Sequence, residues 1–358
     1  MSVQIGFVVG ALSSAALTLA DRFSARWLFA FSAVLGACFN AAIALFAQGI
    51  AVALVLRFLT GVTLAGVYPP GMKLMATWCK EDRGLCIGLL VGALTIGSAS
   101  PHLLSAIPDL AGTGAIPPWR SVLLFASGLA LIASLLALVF VREGPLLAKA
   151  AKFDWRLATR ALSDKAVRLA NFGYLGHMWE LYAMWAWVPL FLLSSYEQAG
   201  LKGSYARLAG FLVIAVGGIG SILAGKVADS WGRTRTTTLS LLISGTATLC
   251  AGFFYGNPYL LTLICLVWGF AVVADSAQFS TAVSELSDPH YVGTALTMQT
   301  SMGFLLTLFT IRMIPPLQHW LGWHYAFMVL VLGPIFGIWS MQALRRMPEA
   351  SKMASGNK

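Results

Sequence analysis

Four ionisable residues stand inside long hydrophobic runs, where charge is costly: Arg57, Glu180, Asp275 and Arg312, with His177 three positions before Glu180. A carboxylate in such a run is desolvated, which favours its protonated form and suits Glu180 to taking up and releasing a proton. His177, one helical turn away, is placed to share that proton, and Asp275 is an equivalent candidate on another run. Arg57 has the chemistry to hold an anionic group of a solute, or to neutralise a carboxylate between solutes. Helical spacing gathers polar neighbours around each of them. Arg57, Gly61, Leu64 and Tyr68 follow one another at i, i+4, i+7 and i+11. Tyr174 precedes His177 and Glu180 among Trp179, Tyr182 and Trp185, and Gln278 and Phe279 follow Asp275. The same residues also fit a static polar network in which Arg57 or His177 merely satisfies Glu180 or Asp275. Arg312 lies close to the end of its run, where it can snorkel, and reads as structural.

The elements that must position these residues are membrane spans. The 358-residue chain is 58% hydrophobic and carries only 24 basic and 14 acidic residues. Its mean hydropathy is +0.78. A soluble domain is about 25% charged, so a chain this apolar has no means of covering a water-facing surface. Soluble enzymes are excluded on that ground, and disordered chains because they need the opposite composition. Apolar runs fall near 3–20, 28–47, 50–72, 84–105, 120–141, 169–194, 206–225, 236–255, 258–282, 292–314 and 324–344. They predict an all-α polytopic protein of eleven spans, each satisfying its own backbone hydrogen bonds.

The loops alternate in charge. One side carries Arg22 and Arg26, then Lys73, Lys80 and Arg83, seven basic residues over 142–168, then Lys226, Arg233 and Arg235, and four in the tail: 19 of the 24. The positive-inside rule makes that side cytoplasmic, with the C-terminus inside and the N-terminus outside. The net charge of +10 is then an address on the membrane, and no nucleic-acid partner is implied. The first run has no basic residue before it and reads as a span, not a signal peptide. The 142–168 loop reads as a linker between bundles at 1–141 and 169–347, with 348–358 as a cytoplasmic tail. The five cysteines give no disulfide framework and read as small buried hydrophobes; Cys79 and Cys86 are too widely spaced for a zinc knuckle. No histidine spacing suggests a metal site, and no nucleotide loop, cofactor motif or nucleophile elbow marks an enzyme.

The two halves share a short motif. The second copy runs Gly225-Lys226-Val227-Ala228-Asp229-Ser230-Trp231-Gly232-Arg233-Thr234-Arg235, and a weaker copy spans residues 17–26, with Asp21 matching Asp229 at an offset of 208 residues. The second copy resembles the loop motif G-x-x-x-D-x-x-G-R-x-R/K of the major facilitator superfamily. The first departs from it, with Leu17 for the first Gly, Ser24 for the second and Ala25 for an Arg. Arg57-x-x-x-Gly61-x-x-x-x-Gly66 is similar to the motif of that family's fourth helix. Gly88, Gly92, Gly97 and Pro101 match the antiporter motif only in part and also serve ordinary helix packing.

The resemblance implies a two-bundle fold of five and six helices. It also implies a secondary transporter moving a small organic solute by alternating access, coupled to protons, without a cofactor. Such a protein would be a monomer in the lipid of a bacterial inner membrane. In the family, helices 4, 7 and 10 face the cavity, and Arg57, then His177 and Glu180, then Asp275 fall on them. Solute and proton handling is therefore expected at Arg57, Tyr68, Tyr174, His177, Glu180, Asp275 and Gln278. A cytoplasmic gate is expected at Asp21, Arg22, Arg26, Gly225, Asp229, Gly232 and Arg233, because an Asp at a helix end can pair with Arg and with a neighbouring helix N-terminus. The first loop motif follows the first span, so the chain resembles a member whose spans correspond to family helices 2 to 12. The alternative is a non-transporting member that uses the scaffold as a receptor or for interaction.

Overall fold

A computed structural model describes residues 2–110, 119–147 and 163–357. In chain order the principal helices are α1 (Ser2–Ala16), α2 (Ala25–Phe46), α3 (Ile50–Leu64), α4 (Tyr68–Trp78), α5 (Arg83–Leu110), α6 (Trp119–Phe140), α7 (Lys165–Gln198), α8 (Gly203–Trp231), α9 (Arg233–Ala251), α10 (Pro258–Ala274), α11 (Ser276–Leu286), α12 (Val292–Leu321) and α13 (Leu332–Arg345). No strand occurs among the described residues. Nine stretches there are long and apolar enough to cross a membrane, α3 with α4 and α10 with α11 each counting as one. The remaining two of the eleven expected spans are α1, shorter at 15 residues, and α7, whose 34 residues include the polar Asn171, His177 and Glu180. Large side chains such as Phe31, Phe46, Phe125, Phe140, Phe253 and Trp339 are exposed, as surfaces solvated by lipid tails require. The chain is an integral, multi-pass membrane protein.

Two of the spans are broken, each for a local reason. Pro69 and Pro70 occupy the first turn of α4, where a missing N–H costs nothing, so a new helix restarts after the turn at 65–67. The other break is at Asp275, between α10 and α11, where the Gln278 N–H bonds back to the Asp275 carbonyl at 2.9 Å in a tightened turn. This break places an acidic residue at a hinge within a span.

The chain forms two compact units. The first comprises residues 1–80, 118–168 and 283–308. Within it α1 packs on α3 and α2 on α6. Gly10 of α1 lies so close to α3 that a Cβ would stand 2.6 Å from the Val62 carbonyl, and Gly61 of α3 is pressed against the Val3 carbonyl in the same way. Small residues let helix backbones approach where the hydrophobic effect cannot drive association. Of the face drawn through Arg57, Gly61, Leu64 and Tyr68, Gly61 therefore turns toward α1, whereas Leu64 is exposed.

The second unit comprises residues 81–117, 169–282 and 309–358. Here α5 and α8 run glycine to backbone: a Cβ on Gly88 would stand 2.6 Å from the Ser221 carbonyl, and one on Gly225 2.5 Å from the Gly84 carbonyl. The segment expected to be a tail folds back as 3₁₀ turns over Pro348–Gly356, burying Ala350, Met353 and Ala354. Asn357 Nδ2 then donates to the Asp229 carbonyl at 3.2 Å.

Other expectations change. Most of the linker drawn over 142–168, including Lys149, Lys152, Arg156 and Arg160, lies outside the described residues. Lys73 is not a loop residue: it sits on α4 and is buried. The cysteines are not uniformly buried hydrophobes, since Cys38 is exposed, Cys250 half-buried and only Cys265 buried among the free ones. Cys79 and Cys86 are disulfide-bonded.

Candidate functional site

The charged centre of the second unit is built on α7, α10 and α11. His177 points from α7 to the hinge, its Nδ1 2.8 Å from Asp275 Oδ1. Both side chains are about 1% exposed. His177 Nε2 and Asp275 Oδ2 are buried with no hydrogen-bond partner among the described residues. Tyr174 and Phe279 close over the imidazole, with ring centroids 5.9 and 5.7 Å from it. Tyr174, His177 and Asp275 are thus brought together, although Asp275 comes from a different span.

Glu180, one turn further along α7, is held differently. It is fully buried and accepts hydrogen bonds from Ser244 Oγ at 2.9 Å, from Trp268 Nε1 at 2.7 Å and from Thr248 Oγ1. Ser244 and Thr248 share one face of α9, and Trp268 comes from α10. A carboxyl group held by three neutral donors is stabilised in place without a cation among the described residues. These donors were missed by sequence reasoning. Their signal is the spacing Ser240, Ser244, Thr248, hydroxyls at i, i+4 and i+8, on a span that also carries Thr234, Thr236, Thr237, Thr238 and Thr246.

Gln278 is not part of this cluster. Its Oε1 accepts from Arg233 Nη1 at 3.0 Å. That guanidinium is buried and also lies 2.7 Å from Asp229 Oδ1. Asp229 in turn accepts from the backbone N–H groups of Gly84 at 2.9 Å and Leu85 at 3.0 Å, at the start of α5. The carboxylate therefore caps a helix N-terminus and neutralises an arginine at once, two charge-assisted contacts of the strong kind. Gly84 leaves room for this, because a Cβ there would strike both Arg233 and Asp229. Gly225 lets α8 approach α5. Gly232 makes the turn from α8 to α9 at φ +104°, a conformation that suits glycine.

The first motif repeats the arrangement with a different cation. Asp21 accepts from the N–H groups of Gly293 at 3.0 Å and Thr294 at 2.6 Å and from Thr294 Oγ1 at 2.7 Å, at the start of α12. Its cation is Lys73 Nζ at 2.7 Å. Arg26 instead donates to the Val141 carbonyl at 3.2 Å, and Arg22 is exposed. Asp21 thus caps α12 although the flanking motif is degraded, and Lys73 was not foreseen as its partner.

Arg57 lies half-buried on α3 in the first unit and has no hydrogen bond or ion pair among the described residues. Tyr68 stands at the start of α4, also half-buried. Gly66, the last glycine of the Arg57 motif, is pressed against Ser32 of α2.

Comparison with known proteins supplies the family. Over 303 residues the chain is 25% identical to the 4-hydroxybenzoate transporter PcaK of Pseudomonas putida, covering 75% of this chain and 65% of that protein. The chain thus spans slightly less than two thirds of that relative's length. Its fold is similar to that of the human organic anion transporter MFSD10, with a TM-score of 0.71 at 18% identity over 95% of this chain and 83% of that one. It is also similar to the proton:xylose symporter XylE, with a TM-score of 0.73 at 16% identity over 96% and 84%. The loop motif that caps α5 and the glycine-packed spans lie within residues 1–311, which match the model of the Major Facilitator Superfamily, and the chain belongs to that family.

Proposed function

We propose that this protein is a secondary transporter that moves a small organic anion across the membrane by alternating access, driven by protons. The observation that carries the reading is Glu180: a carboxyl group fully buried in a span and held, among the described residues, by the neutral donors Ser244, Thr248 and Trp268. A group so placed has no structural need of its charge, whereas an apolar residue of similar size would be cheaper there. His177 and Asp275 form the second proton-handling centre, and Tyr174 lines it. Arg57, without an acceptor among the described residues, supplies the cation for an anionic solute, with Tyr68 nearby in sequence. The relative that transports 4-hydroxybenzoate supports an aromatic carboxylate as the first solute to try. The Asp21 and Asp229 clusters act as the cytoplasmic gate, because a capped helix end held by one ion pair has two discrete arrangements, closed and released. The distribution of basic residues supports a cytoplasmic C-terminus, and the protein acts as a monomer in a bacterial inner membrane.

The test uses proteoliposomes and radiolabelled 4-hydroxybenzoate. Glu180→Gln keeps an acceptor for Thr248 and Trp268 but cannot exchange a proton. It is expected to abolish uptake driven by an imposed pH gradient while sparing solute exchange between the two sides. Undiminished gradient-driven uptake by this variant would sink the proton-carrier assignment, and absence of any exchange in the wild type over a panel of organic anions would sink the anion assignment.

A further inference from the structure

A chain of contacts leads from the hinge of the span at Asp275 to the capped end of α5. His177 holds Asp275 at 2.8 Å. Asp275 carries the tightened turn between α10 and α11: its own angles stay helical, at φ −87° and ψ −18°, and its carbonyl accepts from the Gln278 N–H at 2.9 Å, so the first turn of α11 is anchored on that residue. Gln278 is in the first turn of α11, and its side-chain carbonyl oxygen is an acceptor for Arg233. Arg233 cannot be solvated instead: it is among the largest fully buried side chains. It is held by Gln278 and Asp229, and Asp229 spends its carboxylate on Arg233 and on the Gly84 and Leu85 amides. Gln278 Nε2 is buried with no hydrogen-bond partner among the described residues. The amide thus gives up one of its two hydrogen-bonding groups to present the other to Arg233. A residue chosen only to fill that space would leave no polar atom unsatisfied.

We infer that Gln278 is a positioning residue that ties the hinge at Asp275 to the Arg233–Asp229 pair, so that a change in the His177–Asp275 contact alters the capping of α5. The inference rests on the reading of the Asp229 cluster as a gate, but its contacts stand whether or not the protein moves a solute. Movement of α11 withdraws the Gln278 carbonyl, the guanidinium shifts toward Asp229, and the carboxylate then divides differently between Arg233 and the helix end. Spatial continuity alone does not demonstrate such coupling; a double-mutant cycle does.

The experiment is hydrogen–deuterium exchange on the full-length protein in detergent, at one pH, without any solute. The readout is the peptide containing the Gly84 and Leu85 amides, with peptides of α2 as the internal reference for global stability. Asp275→Asn is expected to speed exchange of those amides by about fivefold or more, the lower range of coupling between sites. In a Gln278→Leu background the same change is expected to have no effect, and Gln278→Glu, which restores an acceptor for Arg233, is expected to restore it. His177→Gln serves as a second perturbation should Asp275→Asn not yield folded protein. Equal responses with Gln278 intact and in the Gln278→Leu background, or no response to either perturbation, would overturn the inference. Retained coupling in a protein that shows no uptake would remove the transport reading and leave this link standing.

Discussion

Lys73 Nζ lies 2.7 Å from Asp21 Oδ1 and 2.8 Å from the Ala20 carbonyl, so one ammonium ties the end of the first span to α4. Asp21 is simultaneously the cap of α12. Both charges are buried, and removal of one partner leaves the other uncompensated. Lys73→Met is expected to cost about 3 kcal/mol of stability. The double variant Lys73→Met/Asp21→Asn should recover part of that loss. Thermal unfolding followed by intrinsic fluorescence in detergent checks both; equal melting temperatures for wild type and Lys73→Met would rule the pair out as a stabilising contact.

Gly225 and Gly97 make a matched test of helix contact. A Cβ at Gly225 meets the Gly84 carbonyl at 2.5 Å and the Leu85 Cα at 3.0 Å, whereas one at Gly97 meets nothing within 4 Å. Gly225→Ala is expected to lose about 1–3 kcal/mol through overpacking of α8 on α5. Gly97→Ala, on a helix and with open space, should be neutral or slightly stabilising. Yield of monodisperse protein by size-exclusion chromatography, with the melting temperature, separates the two outcomes.

Gly232 carries strain that only glycine escapes. Its φ of +104° and ψ of 146° fall where a side chain collides with the backbone. Gly232→Ala is expected to destabilise the protein by about 1–3 kcal/mol. A variant with unchanged melting temperature and unchanged exchange at Gly84 would show that the α8–α9 turn tolerates another conformation.

Trp268 offers a spectroscopic view of Glu180. Its Nε1 donates to the carboxyl group at 2.7 Å, so the indole senses whether that group carries a proton. The wild-type emission minus that of Trp268→Phe is expected to follow a single titration as pH is varied. The same difference taken in a Glu180→Gln background should be flat. A titration that survives Glu180→Gln would assign the signal to another group.

The spans were legible in the sequence because lipid demands uninterrupted apolar runs, and even the polar α7 retained enough of one to be placed. The Asp229 cluster was legible because Gly225, Asp229, Gly232 and Arg233 are neighbours along the chain and their spacing is fixed by one helix end and one turn. Lys73 was not, since its partner lies 52 residues away and only the packing of α4 beside the first span brings them together. Gln278 was assigned to the wrong neighbourhood for a related reason. It follows Asp275 by one tightened turn, and the two side chains meet different helices: Asp275 looks to His177 on α7 while Gln278 looks to Arg233 on α9. The donors around Glu180 were hidden by their ordinariness: serine and threonine are common in spans, and usually bond their own helix.

The two helix caps also fix an order of events during synthesis. Asp21 leaves the ribosome 52 residues before Lys73 but long before the amides it caps, which follow 272 and 273 residues later. The amides of Gly84 and Leu85 wait across 145 and 144 residues for Asp229. Because a chain is made N-terminus first, the earliest spans enter the membrane with a carboxylate and a helix end both unmatched. Each unit borrows a helix made in the other half of translation, so neither cap can close before its later partner, Asp229 for one and Gly293 and Thr294 for the other, has been made.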